Sequence, residues 1–118
     1  MLPAAHRLHR AADFTEVVRR GRRASRPLLT VHVLTTGAAG DDPARAGLVV
    51  SKAVGGSVVR HRTARRLRHL LLPRLSALAA GTRVVVRAQP GAGTAPSRAL
   101  AADLDGALAA AVRPKAAR

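Results

Sequence analysis

Residues 82–89, TRVVVRAQ, place three valines side by side at 84–86. β-Branched side chains favour an extended backbone, in which neighbours point to opposite faces. A strand with one wet face alternates apolar and polar residues, and this one does not. Both of its faces therefore need covering. Helices on a small sheet meet that demand, and the rest of the chain supplies them.

Periodicity and breakers place the other elements. Asp13, with Glu16 three residues on, reads as a capping box opening a helix that runs to about Arg20, with Gly21 past its end. Phe14, Val17 and Val18 form its apolar face. Residues 27–34 read as a strand, 35–46 as a loop, 47–52 as a second strand and 53–56 as a turn. A long helix is expected over 57–79 with Ser57 as N-cap, although Pro73 would kink it or end it early. Val59, Thr63, Leu67, Leu70 and Leu71 share one side of it. His61, Arg62, Arg65, Arg68 and His69 share the other, with Arg66 on the flank. Residues 90–96 read as a loop and 97–112 as a final helix, with Leu100, Leu104, Leu108 and Val112 at helical spacing and Gly106 weakening it. Residues 113–118 read as a frayed basic tail. The order is helix, two or three strands, helix, strand, helix, within one domain spanning 1–118.

The polar side of the long helix is unusual because it holds no acid. Solvated helix faces mix signs and form pairs one turn apart. Here eleven Arg and Lys fall between Pro43 and Ala102 with no Asp or Glu, and the whole chain sets 21 basic residues against 6 acidic ones, a formal net charge of +15. A solvated face and a membrane-surface helix are the competing readings. The second usually brings Trp or Phe, and the chain has no Trp and one Phe. A polyanionic partner remains the reading that explains the charge. Nineteen of the 21 basic residues are Arg, which suits bidentate phosphate contacts and is equally what GC-rich coding yields.

The segment GLVVSKAVGGSVVRHRTARRLRHLL, residues 47–71, resembles the RNR signature of the bacterial ribonuclease P protein subunit family. The shared pattern is a strand ending in Ser51-Lys52, a Val54-Gly55 turn, then Val58-x-Arg60-x-Arg62 opening a basic helix with Arg65 and Arg68. RLHRAADFTEVVRRGRR resembles the family's N-terminal helix and TRVVVRAQPGA its last strand, so the likeness covers nearly the whole chain. The resemblance implies an α/β (α+β) sandwich with a small, mainly antiparallel sheet of about four strands and three helices. The order would be α-β-β-β-α-β-α, with a left-handed βαβ crossover against the usual handedness. It further implies the protein subunit of an RNA-based endonuclease that removes the 5′ leader of precursor tRNA. The catalytic RNA, holding Mg²⁺, would do the hydrolysis, and no protein partner is required. The implied RNA-binding residues are Lys52, Arg60, His61, Arg62, Arg65, Arg66, Arg68 and His69. The implied leader cleft holds Phe14, Val18 and Val31.

Five positions that depart from the family pattern matter. His61 replaces the Asn of RNR, Gly56 replaces the Asn after the turn, and Ala53 replaces a second Lys. Val18 and Val31 stand where aromatics are expected, so the cleft should rely on charge and shape more than on base stacking.

Residue chemistry agrees with a non-catalytic protein. There is no Cys, hence no disulfide or thiolate metal site, and the five His lack carboxylate company at ligand spacing. Asp41 and Asp42 share a Gly-rich loop, while Asp103 and Asp105 point to different sides of the last helix. His61 and His69 lie two turns apart, about 12 Å, too far to share one phosphate. No apolar run approaches the roughly 18 residues of a membrane span and no secretory h-region opens the chain, so a cytoplasmic location is expected. A ribosomal- or nucleoid-type binding protein with no processing role is the alternative reading.

Overall fold

The computed structural model describes residues 2–35 and 42–112. Along the chain come α1 (Ala11–Arg20), β1 (Arg22–Ser25), β2 (Leu29–Thr35), β3 (Arg45–Val49), α2 (Ser57–Leu75), β4 (Thr82–Ala88) and α3 (Ser97–Val112), with short 3-10 turns at Ala4–His6, Lys52–Val54 and Pro90–Gly93. The sheet order is β1-β2-β4-β3. Pairing is antiparallel for β1–β2 and β2–β4 and parallel for β3–β4. The sheet is thus mixed, and the parallel pair bridged by α2 is a βαβ unit.

Val84, Val85 and Val86 are all 0% exposed on inner strand β4, as the uninterrupted valines require. Their alternation divides the protein into two cores. Val84 and Val86 join Leu29, Val31 and Val33 of β2, Leu67, Leu71 and Leu75 of α2, and Leu100, Leu104 and Leu108 of α3. Val85 faces the other way, onto Val17 of α1 and Leu8, with Phe14 and Val18 packed around them. Two helices cover one face of the sheet and one helix covers part of the other.

Several boundaries differ from expectation for local reasons. α1 starts at Ala11 with Arg10 at the N-cap and no side-chain cap, so the Asp13 capping box does not form; Glu16 instead accepts from Arg20 at 3.0 Å. β1 lies in RRAS, whose polar residues hide a strand that is largely exposed. Ser51 and Lys52 follow β3 instead of ending it. Ser57 is the first helical residue of α2, and Gly56 is its N-cap. α2 runs through Pro73 and stops at Leu75, short of 79. Pro73 lies in the last turn on the exposed side, while Leu71 and Leu75 hold the helix in the core and Arg74 closes its end on Asp105 at 2.6 Å. The 90–96 loop contains a 3-10 turn. Val112 is 46% exposed, and Ala107 and Ala111 complete the buried side of α3 instead. The N-terminal segment packs on the fold: Leu2 and Leu8 are buried, and Leu8 N donates to Ala46 O at 2.9 Å. Parts of the expected 35–46 loop and the expected tail at 113–118 lie outside the described residues.

Two glycines are required. Gly55 has φ +153°, a conformation side chains rarely adopt, and a Cβ there would also press on Val59. Gly47 is the seat of Phe14, whose ring occupies the space a Cβ would take. Gly47→Ala should therefore destabilise the fold by about 1–3 kcal/mol through overpacking, read in a denaturant melt. An unchanged melt would mean that Phe14 does not rest on β3.

Candidate nucleic-acid interface

α2 is anchored by Thr63, Leu67, Leu71 and Leu75, all buried, and Thr63 Oγ1 donates back to Val59 O at 2.8 Å. That anchoring turns the basic residues outward in two flanks. On one, Arg60, His61 and Arg68 line a groove of about 320 Å³ with Val50, Ser57 and Ala64. On the other, Arg65, Arg66 and His69 line a groove of about 250 Å³ with Leu70 and Ser97. His61, Arg65 and His69 are exposed, as is Lys52 in the turn before the helix.

The expected RNA-binding residues are therefore gathered on one helix and its approach, but two of them are also struts. Arg62 donates to Gly93 O at 3.4 Å and Arg66 to Ala95 O at 3.2 Å. Both tie α2 to the segment after β4, a role that helical spacing did not reveal. Three guanidinium groups carry a further signature. The Nε–H groups of Arg60, Arg62 and Arg68 are shielded from solvent and meet no acceptor in the protein. Shielded donors without partners are costly, and anionic oxygens docking on this face would satisfy them.

Four of the five described acids are bonded elsewhere. Asp42 pairs with Arg83 at 2.9 Å and with Arg45 at 3.8 Å. Asp103 accepts from Leu28 N at 2.9 Å. Asp105 takes both Nε and Nη2 of Arg74, which hold its carboxyl below the usual carboxylate range. Glu16 is bonded to Arg20. The acids therefore tie the fold together, and the positive surplus is left on α2 and its surroundings.

The expected leader cleft needs one correction. Phe14 and Val18 are half-buried and lie together on the α1 side of the sheet. Val31 is 0% exposed in the opposite core, because strand alternation turns it away from α1. Its neighbour His32 takes the place on the α1 side, since it pairs with Val85, which packs under α1. The resemblance points to Val31, and the strand register gives the α1-facing place to the next residue, His32. Phe14 is both anchor and wall: it sits on Gly47 and lines a cavity of about 240 Å³ with Leu2, Leu8, Leu48, Arg7 and Arg68.

His32 is 7% exposed, and its Nδ1 has no partner. Burial first, then Arg23 and Arg87, push its pKa below the ordinary 6.5. The unfolded chain thus binds this proton more readily than the fold does. The stability His32 contributes by staying neutral is complete above about pH 6.5 and is lost as pH falls through the lower folded value. Between pH 7.5 and 5.5, wild type should lose stability relative to His32→Gln in parallel melts; parallel pH profiles would contradict a neutral buried ring.

Among the described residues no group of three or more His, Cys, Asp or Glu could hold a metal ion, and no helix is long and apolar enough to cross a membrane. The family model for ribonuclease P matches residues 2–112. The ribonuclease P protein component of Streptomyces bikiniensis is 60% identical over 115 residues, covering 92% of this chain and 93% of the relative. That of Salinispora tropica is 46% identical, covering 100% of this chain and 98% of the relative. The Staphylococcus aureus RNase P protein structure superposes with a TM-score of 0.79 at 24% identity, over 90% of this chain and 94% of that one. The Thermotoga maritima RNase P protein gives 0.73 at 19% identity, over 94% and 99%; at these identities the two structures establish the fold. With that fold, an acid-free basic helix and a family match over nearly its whole length, the chain belongs to the ribonuclease P protein family, the accessory subunits of the RNA-based endonuclease that processes tRNA 5′ ends.

Proposed function

We propose that this chain is one RNA-binding domain that docks on the catalytic RNA of ribonuclease P through α2 and the Lys52 turn, and that it takes the single-stranded leader of precursor tRNA between α1 and the sheet. Lys52, Arg60, His61, Arg65, Arg68 and His69 meet phosphates of the catalytic RNA, while Arg62 and Arg66 do so from positions braced against the segment after β4. Phe14 and Val18 form the apolar wall of the leader cleft, with His32 on its floor. The RNA holds the Mg²⁺ and performs the hydrolysis, in the cytoplasm and with no obligate protein partner. The observation that carries this reading is the row of shielded, unmet guanidinium donors on a helix with no acidic residue.

Electrostatics then set the protein's contribution. Two polyanions, catalytic RNA and substrate, repel each other unless cations screen them. Fixed arginines supply part of that screening. The protein alone should not cleave precursor tRNA, and with the catalytic RNA it should bring cleavage to Mg²⁺ concentrations at which the RNA alone is poor. Site-specific cleavage by nuclease-free protein without RNA would overturn the reading.

Arg65 gives the cleanest test of the helix face, because it is exposed and makes no bond that braces the fold. Arg65→Ala should weaken catalytic-RNA binding by about 1–3 kcal/mol and flatten the salt dependence by about one unit of log–log slope, with an unchanged melt. Arg62→Ala should lose RNA affinity and some stability together, since it also frees Gly93 O. Equal losses of stability in both variants would make the face structural.

A further inference from the structure

The side of the sheet facing α1 carries polar chemistry that apolar packing does not explain. Cross-strand partners project on the same side, and so do residues two apart on one strand. Arg23 of β1 stands opposite His32 of β2, and Thr30, two residues before His32, stands opposite Arg87 of β4. Arg23, His32, Thr30 and Arg87 therefore share the side on which Val85 meets α1. Arg23 and Arg87 are exposed, and the imidazole between them is almost wholly covered.

We propose that Arg23, His32 and Arg87 form a phosphodiester site for the precursor tRNA leader, and that the site takes up a proton on His32 when the leader docks. The inference rests on the reading that the leader lies between α1 and the sheet, and it adds which groups hold the backbone and how that hold depends on pH.

Two guanidinium groups and burial both disfavour a third positive charge, so the imidazole stays neutral. The surrounding charges do not relieve it. On β2's other neighbour, β4, Arg83 is engaged by Asp42. On α1, which packs on the same side, Glu16 and Arg20 are closed on each other, leaving Asp13 and Arg19 as the helix's other charged groups. Gln89 donates to Thr30 Oγ1 at 2.9 Å, and Ser25 Oγ lies 3.2 Å from the same atom, so the hydroxyls beside the site are occupied with one another. The His32 ring is left without a protein partner at Nδ1.

An RNA phosphate bridging Arg23 and Arg87 reverses this balance. Its negative charge cancels the field of the two arginines and offers the imidazolium an acceptor that the protein lacks. Docking thus favours the charged ring, and by reciprocity the charged ring favours docking. Charge recognition of this kind suits a cleft with a single aromatic, because stacking on one ring can hold few bases.

The test has two arms. In the first, the His32 imidazole of the free protein is titrated by NMR with and without a single-stranded RNA of about five nucleotides, within the usual reach of one small domain. The expected result is a midpoint that moves to higher pH when RNA is present, and Arg87→Gln should raise the midpoint of the free protein while shrinking the RNA-induced change. In the second, the holoenzyme's affinity for precursor tRNA with a leader of that length is compared with that for mature tRNA between pH 6 and 8. The precursor should bind about five-fold or more tighter at pH 6 than at pH 8, the mature tRNA should show no such gain, and His32→Gln should remove the difference. A His32 midpoint indifferent to RNA, with the leader still tightening binding, overturns the proton-linked site and leaves the cleft reading standing. Equal affinity for precursor and mature tRNA at every pH overturns the cleft reading and this site with it.

Discussion

Everything in this small protein hangs on the burial of both faces of β4. Val84 and Val86 require a layer on one side of the sheet and Val85 requires one on the other. A chain of 118 residues has few helices with which to satisfy both. α2 and α3 close the first side fully. α1 and the N-terminal segment close the second around Val85, and Thr30 and His32 of β2 are buried on that side as well. Arg23 and Arg87 stand exposed there, with the covered His32 between them.

The same economy governs charge. Each described acid with a bonded partner closes a long-range or local tie: Asp42 across to β4, Asp103 to the turn before β2, Asp105 to the end of α2, Glu16 within α1. With acids spent on the fold, α2 is left to present arginine and histidine alone. Its inward Leu and Thr residues fix the helix rigidly, so the cations are held in register instead of waving from a flexible tail. Such preorganisation lowers the entropy cost of ordering them on a polyanion.

What the sequence made legible follows from how local each signal is. The valine run, the spacing of Thr63, Leu67 and Leu71, and the acid-free helix face are readable because each depends on period and composition within one element. The failures are non-local. RRAS looks like a loop and becomes β1 only because β2 offers it an edge. The resemblance puts Val31 in the cleft, and alternation fixes relative sides but not which side meets α1; only the pairing of His32 with Val85 decides that. Arg62 and Arg66 read as free cations, since nothing in their spacing announces the carbonyls of Gly93 and Ala95. Asp13 looks like a cap because its spacing to Glu16 is right, yet the N-cap is Arg10, three residues earlier.

The central claim is that α2's shielded guanidinium donors await anionic oxygens from RNA. The most direct measurement is the Nε–H resonance of each arginine in the free protein and in its complex with the catalytic RNA. The Arg60, Arg62 and Arg68 signals should shift downfield and gain exchange protection on binding, while that of Arg74, whose Nε–H already donates to Asp105, stays where it is. Unchanged Arg60, Arg62 and Arg68 signals in a saturated complex would contradict it.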